Sequence, residues 1–296
     1  MFTRIDHVMI CVPDLAQGIE QYRRLGFNMH PGGVHIGKGT HNAIAFNEDD
    51  YLELLAVRDQ ADYQAASSRG AGWGEKLGDF IAAGGGIRYV IIQSDDLAAD
   101  VAAMRKRGVD VGDATDGGRR TPSGQELQWK TAVLGRANPL PLVFIQQLTS
   151  LEERRRQVPV AGDHPNGVHA LERAYIVTPD VEAAAALYAK VLGMPQPATH
   201  RGTVIKSDMA VFEIGPTGLG IAQPYEAGPA ADALARRGPG PFQALYRTAS
   251  MNAAARWMQE HGLPPPARGV RSTGEHAMLA TPSVACGAYI GFVGPE

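Results

Sequence analysis

Leu171-Glu172-Arg173-Ala174-Tyr175-Ile176-Val177-Thr178-Pro179-Asp180-Val181, followed by Ala185, Tyr188, Val191 and Leu192 at helical spacing and a stop at Gly193, reads as a strand, a polar turn and an amphipathic helix. The same unit opens the chain. Ile5-Asp6-His7-Val8-Met9-Ile10-Cys11-Val12-Pro13-Asp14-Leu15 runs into Ile19, Tyr22 and Leu25 and closes at Gly26. A further copy spans Ile87 to Leu97, with a helix over Val101 to Met104 and a stop at Gly108. A weaker one spans Phe242 to Met251, with Ala255, Trp257 and Met258 and a stop at Gly262. Repetition on this scale marks supersecondary units that must pair to bury their apolar faces, so function is expected where two units meet.

Three strand-like runs follow each strand and helix. In the first unit they lie around Val34-His35, over His41 to Phe46 and over Tyr51 to Val57, with Asn47-Glu48-Asp49-Asp50 as a hairpin loop. In the second they lie around Arg119, over Gln125 to Val133 and over Pro141 to Gln147. The third unit continues through Gly202–Ile205, Ala210–Ile214 and Leu219–Gln223, and the fourth ends with His276–Leu279 and Gly287–Val293. Asp59 to Gly86, which includes Trp73, reads as a short helix and a crossing loop. Ser150 to Gly167 reads as a linker that starts as a charged helix, with Glu152, Glu153, Arg154, Arg155 and Arg156 forming a solvated face. Pro13-Asp14 and Pro179-Asp180 recur at matching places, which sets an N-terminal module at 1–150, a linker at 151–168 and a more divergent C-terminal module at 169–296.

With 296 residues, 44% hydrophobic and 20% charged, the chain has material for about two ordinary globular domains. A net charge of -3 gives no case for nucleic acid or an anionic membrane, which leaves a small molecule as the expected partner. Two cysteines, Cys11 within a strand and Cys286 near the end, suit a reducing cytoplasm and no disulfide framework. No secretory pattern and no long apolar run appears, so a cytoplasmic monomer or homodimer is expected. The chain lacks a Gly-x-Ser-x-Gly elbow, a Gly-x-Gly-x-x-Gly turn and Walker A spacing in its glycine run, which argues against a nucleophilic, dinucleotide or phosphate-loop enzyme.

Used four times, the strand–helix–three-strand unit is similar to the vicinal oxygen chelate superfamily, which includes glyoxalase I, extradiol ring-cleaving dioxygenases and fosfomycin resistance enzymes. Over residues 1 to about 169 the chain resembles the glyoxalase-like domain family. Ile5-Asp6-His7-Val8, Gly32 to Asn42, Tyr51-Leu52-Glu53-Leu54, Gly124 to Trp129, Phe144-Ile145-Gln146 and His164-Pro165-Asn166-Gly167 carry that resemblance in order. It implies an α+β fold of four βαβββ units paired into two modules, each enclosing a cavity with any metal at its floor.

The resemblance also implies ligand positions on the first and last strand of each unit. His7 and Glu53 fill them in the first unit, as the anchors of one divalent ion, Zn, Mn, Ni or Fe(II), or as acid–base groups if no metal is used. In the second unit Tyr89 stands where another histidine is expected, with Gln146 or Gln147 on the last strand; in the third, Arg173 stands in place of His7. Any metal is therefore expected in the N-terminal module alone and weakly held. Glu53 interrupts an apolar strand, where a carboxylate needs a partner. His35 and Trp129 are expected along the cavity wall, beneath a permissive glycine-rich mouth. Lys38, Arg119 and Arg120 are candidates for an anionic ligand group, with a surface role as the ordinary alternative. These readings describe an enzyme acting on a small oxygen-rich molecule by lyase, isomerase or dioxygenase chemistry, or else a metal-free binding protein.

Overall fold

Asp14, Asp96, Asp180 and Ser250 each accept a hydrogen bond from the backbone N–H three residues on, at Gln17, Ala99, Ala183 and Ala253. Each is a helix N-cap, worth about 1 kcal/mol, and together they give four repeats one strand-to-helix turn. The computed structural model describes residues 1–70, 77–158 and 162–296. Its first unit is β1 (Phe2–Cys11), α1 (Leu15–Arg24), β2 (His30–His35), β3 (Thr40–Phe46) and β4 (Tyr51–Val57), followed by α2 (Gln60–Ser68) and α3 (Leu77–Ala82). The second is β5 (Gly86–Ser94), α4 (Leu97–Lys106), β6 (Thr115–Arg120), β7 (Glu126–Val133) and β8 (Leu142–Gln147), followed by α5 (Leu151–Arg155). The third is β9 (Val168–Val177), α6 (Val181–Leu192), β10 (His200–Gly202), β11 (Ser207–Ile214) and β12 (Thr217–Pro224), followed by α7 (Pro229–Arg237). The fourth is β13 (Gly240–Thr248), α8 (Met251–Glu260), β14 (Ala267–Val270), β15 (His276–Ala280) and β16 (Tyr289–Val293). The architecture is α+β, with four βαβββ units paired two by two.

In the N-terminal half the strands close a barrel in the order β1-β4-β3-β2-β6-β7-β8-β5. The two units join where β1 runs antiparallel to β5, and closure comes from β2 against β6, with Val34 opposite Arg120 and His35 opposite Arg119. The C-terminal half is an open eight-stranded sheet, β10-β11-β12-β9-β13-β16-β15-β14. There β10 is only three residues long, and Thr203 Oγ1 donates to the Val270 carbonyl across the gap instead of a ladder. The region expected as strand at Gly202–Ile205 is mostly turn.

Alternation along the strands separates two layers. Val8 and Ile10 of β1, Leu52 and Leu54 of β4, Val90 and Ile92 of β5 and Leu142 and Phe144 of β8 belong to one large core that also holds Tyr22, Tyr188 and Phe292. That core is shared by both modules, with Phe27 edge-on to Tyr246 at 5.4 Å. The alternate residues face into the barrel. Away from the large core Met9, Cys11, Leu55, Tyr63 and Leu77 cluster with Leu127, Trp129, Val143 and Ile145, α2 and α3 supplying Tyr63 and Leu77 to plug one end of the barrel. The opposite end is polar.

The described residues between Asp59 and Gly86 thus form two helices rather than one, while Trp73 lies outside the described residues, as do Pro159, Val160 and Ala161 of the linker. Among the described residues no helix is long and apolar enough to cross a membrane.

Candidate active site in the N-terminal barrel

The register of β1 against β5 slips between Ile5 and His7, so the strand carries a local irregularity at Asp6. Such bulges re-aim side chains, and here two consecutive residues engage one another inside the fold. His7 Nδ1 lies 2.6 Å from Asp6 Oδ1, and its Nε2 lies 3.1 Å from Glu53 Oε2 on β4. The imidazole is stacked on Tyr51, centroids 4.2 Å apart. Asn42 of β3 donates its amide to the other Glu53 oxygen at 2.7 Å, and His35 Nε2 stands 3.6 Å from that oxygen. Asn42 reaches this position by packing over Gly32, where a Cβ would sit 2.3 Å from its Oδ1. Gln147 closes the chain by donating to both Asp6 oxygens at 3.2 and 3.3 Å.

Asp6, His7 and Glu53 are all buried, which opposes ionisation of each, but they answer one another's charge. Burial pushes the Asp6 carboxyl up, and the hydrogen bond and charge of His7, with Arg154 and Gln147, more than reverse that, leaving it below the carboxylate range. Burial pushes the His7 imidazole down, and the bonds to Asp6 and Glu53 overcome it and raise it. Burial likewise raises Glu53, yet the His7 bond and charge, the nearby His35 and the Asn42 amide bring it down to about 2. The imidazole is held between two carboxylates that favour its protonated form. His35, by contrast, is lowered to about 4 by burial, only partly countered by Glu53, and is neutral; its Nδ1 lies 3.0 Å from Thr40 Oγ1.

His7, His35, Asn42, Tyr51, Glu53 and Gln147 line one cavity. Trp129, 6.2 Å from His35 and nearly perpendicular to it, forms a wall with Met9, Leu127, Val143 and Ile145. Arg119 of β6 and Arg154 of α5 complete it.

Of the residues singled out in the sequence, the structure brings His7, His35, Glu53, Arg119, Trp129 and Gln147 to this cavity. Arg120 is exposed and paired with Glu126, and Tyr89 and Gln146 are also elsewhere. Tyr89 pairs with Met9 rather than His7, because Ile91 stands opposite His7, so Tyr89 sits toward the plugged end. Gln146 points to the outer face of β8, where it accepts from Leu97 N at 3.2 Å and donates to the Asp95 carbonyl, tying down α4. Arg154 is a further correction. Instead of belonging to a solvated face, it is buried on a helix that Ser150 and Glu153 start with a capping box. Gly32 and Gly33 lie within β2, not in a loop. Asp6, Asn42, Tyr51 and Arg154 had not been marked as site residues; the Asp6-His7 pair within an apolar strand was the one visible signal.

Superfamily resemblance implies a divalent ion anchored by His7 and Glu53, and the donor set does not fit one. Among the described residues no three His, Cys, Asp or Glu side chains are placed to hold a metal. His7 has its second nitrogen on Asp6, as a ligand would, but His7 and Glu53 are two donors where about three or four are usual. Arg119 and Arg154 bring positive charge to the same cavity.

In the C-terminal sheet Arg173 lines a second cavity with Tyr175, Gln243 and Arg271. Its charge is already matched: Arg173 meets Glu213 at 3.1 Å, and Glu172 meets Arg271 at 2.7 Å and Arg247 at 2.8 Å.

Residues 5–192 match the family model described as Glyoxalase-like domain. No curated protein matches the chain at a significant level. A hypothetical protein from Staphylococcus aureus is similar in structure at 13% identity, covering 99% of each chain with a TM-score of 0.66. A triple mutant of 4-hydroxymandelate synthase from Streptomyces coelicolor is similar at 12% identity, with 99% of this chain and 92% of that one covered and a TM-score of 0.64. A fusion of a xylose isomerase-like TIM barrel with 4-hydroxyphenylpyruvate dioxygenase is similar at 11% identity, with 99% of this chain and 48% of that chain covered and a TM-score of 0.59. At such identities the likeness establishes the architecture.

Proposed function

The chain belongs to the glyoxalase-like domain family, and from that premise we propose that it is an acid–base enzyme acting on a small oxygen-rich carbonyl compound in the N-terminal barrel. One observation carries this reading: a buried imidazole bridges two carboxylates, with the pKa values of His7 and Glu53 pushed in opposite directions. Groups separated in this way hold opposite roles at neutral pH. Glu53, ionised, accepts a proton from the carbon beside a carbonyl; the C–H electron pair forms the C=C bond of the enol, the carbonyl π pair moves onto oxygen, and His7 donates to that oxygen. Asp6 holds the imidazole in place through Nδ1, and Asn42 orients Glu53. The substrate oxygen would enter between Nε2 and Oε2, now 3.1 Å apart. Lyase or isomerase chemistry follows from such a step, and no part of it is routed through a metal.

A metal-free binding protein is the second reading, favoured by the engagement of both His7 nitrogens and both Glu53 oxygens. Either is proposed to work in the cytoplasm as a monomer or homodimer, with no nucleic-acid or membrane partner. Proton NMR in D2O separates the two readings. With small 2-oxo acids and vicinal dicarbonyls, exchange of the hydrogen beside the carbonyl that disappears in Glu53→Gln supports the enzyme. Saturable binding without exchange supports the binding protein, and neither outcome would discard the site.

A further inference from the structure

Arg119 and Arg154 present a charge problem that proton transfer does not answer. Arg119 is 6% exposed and Arg154 7% exposed, and both line the cavity. Arg119 Nη1 donates to the Gly32 carbonyl and to Gln157 Oε1 at 2.8 Å, both neutral acceptors. Nε of Arg154 is buried with no hydrogen-bond partner. The two carboxylates that line or adjoin the cavity, Asp6 and Glu53, make their close contacts with His7. Among the described residues neither guanidinium has a carboxylate within salt-bridge distance. Two buried guanidiniums, Arg119 and Arg154, therefore face the cavity with no carboxylate of their own.

A buried charge without a partner is costly, and a protein that keeps two such guanidiniums beside an open cavity is built for an anion that arrives from outside. Guanidinium forks match planar oxyanions, and two of them beside one cavity can share one carboxylate. One stretch of the wall, Met9, Leu127, Trp129, Val143 and Ile145, is apolar. We propose that the cavity binds a small organic monocarboxylate, with its anionic head on Arg119 and Arg154 and its apolar body along the Trp129 wall. This deepens the preceding reading, on which it rests only for the placement of the reacting carbon at His7 and Glu53.

The test uses the full chain and three probes, pyruvate, benzoate and acetate, against benzamide as a neutral isostere and inorganic phosphate as a non-planar anion. Binding is followed by thermal shift and by Trp129 fluorescence, with a Trp129→Phe control to assign the signal. Pyruvate or benzoate should bind saturably below about 10 mM and benzamide should not. Arg154→Gln and Arg119→Gln should each weaken that binding about tenfold or more, while Gln146→Ala, on the outer face of β8, retains it. The readout is binding and not proton exchange, so the result stands apart from the acid–base reading. Without ligand, Arg154→Met should melt at the same temperature as the parent or higher, because it removes an unpaired buried charge; a guanidinium with a merely structural role would lower it. Equal binding of benzamide, tighter binding of phosphate, unaltered affinity in Arg154→Gln, or no saturable binding by any carboxylate would each overturn the proposal.

Discussion

Glu53→Gln keeps the side chain's shape but removes the charge that His7 Nε2 faces at 3.1 Å. In the folded protein Glu53 is held at about 2 against an ordinary 4.5, in a site where it is 3% exposed and little screened. At about 1.36 kcal/mol per unit, that difference is worth about 3 kcal/mol. His7 describes the same pair from the other side, so its raised pKa is not added. Relaxation reduces the loss, since His7 can shed its proton and keep its bond to Asp6, and about 2–3 kcal/mol is expected. The sign at each end follows from linkage. A depressed carboxylate contributes stability that is present above 4.5 and lost as pH falls through about 2. A raised histidine contributes stability that is present below 6.5 and lost as pH rises through its folded value. The gap between parent and Glu53→Gln should therefore be a plateau from about pH 4.5 to 6.5 that narrows on either side. Urea unfolding midpoints across pH 2 to 9 measure it. Equal midpoints at pH 6, or a gap that widens steadily with pH, would refute a buried imidazolium–carboxylate pair.

Asp50, 1% exposed, is raised to about 6 by burial, against the opposing help of Asn47, Leu171 N and Arg4. A raised carboxyl contributes stability that is present below 3.8 and lost as pH rises through about 6, so Asp50→Asn should flatten a loss of up to about 3 kcal/mol between pH 4 and 7.5 in urea melts. Gly26 has φ +89, and a Cβ there would meet the Asn166 side chain at 2.6 Å where the modules join. Gly26→Ala should cost at least about 2 kcal/mol in thermal unfolding, and a neutral result would mean that this junction is not tightly packed. Calorimetric titration with Zn, Mn, Ni or Fe(II) should give at most one weak site, absent in His7→Ala. Two tight sites per chain would contradict the donor geometry.

The repeat was legible because its signals are local. Period-two alternation, a capping Asp or Ser and a closing Gly act within a dozen residues, and they recur at Asp14, Asp96, Asp180 and Ser250 in the structure as in the sequence. Glu53 was legible for a related reason, since a carboxylate inside an apolar strand is costly unless something distant answers it. What answers it was not legible. Tyr89 was placed beside His7 by aligning neighbouring apolar residues, whereas the β1–β5 register, slipped at Asp6, sets Ile91 there. Gln146 and Gln147 differ only in which face of β8 they occupy, and one residue of phase decides between helix tether and cavity wall. Arg154 was the least readable of all. Its five-residue helix is too short to show a period, and its neighbours Glu152, Glu153 and Arg156 are those of a solvated face. Its burial comes from where α5 docks against a barrel that closes through β2 and β6, a pairing between segments some 85 residues apart that no local pattern encodes. The strands and helices thus follow from short-range stereochemistry, while the charge balance of the cavity is a property of chain closure alone.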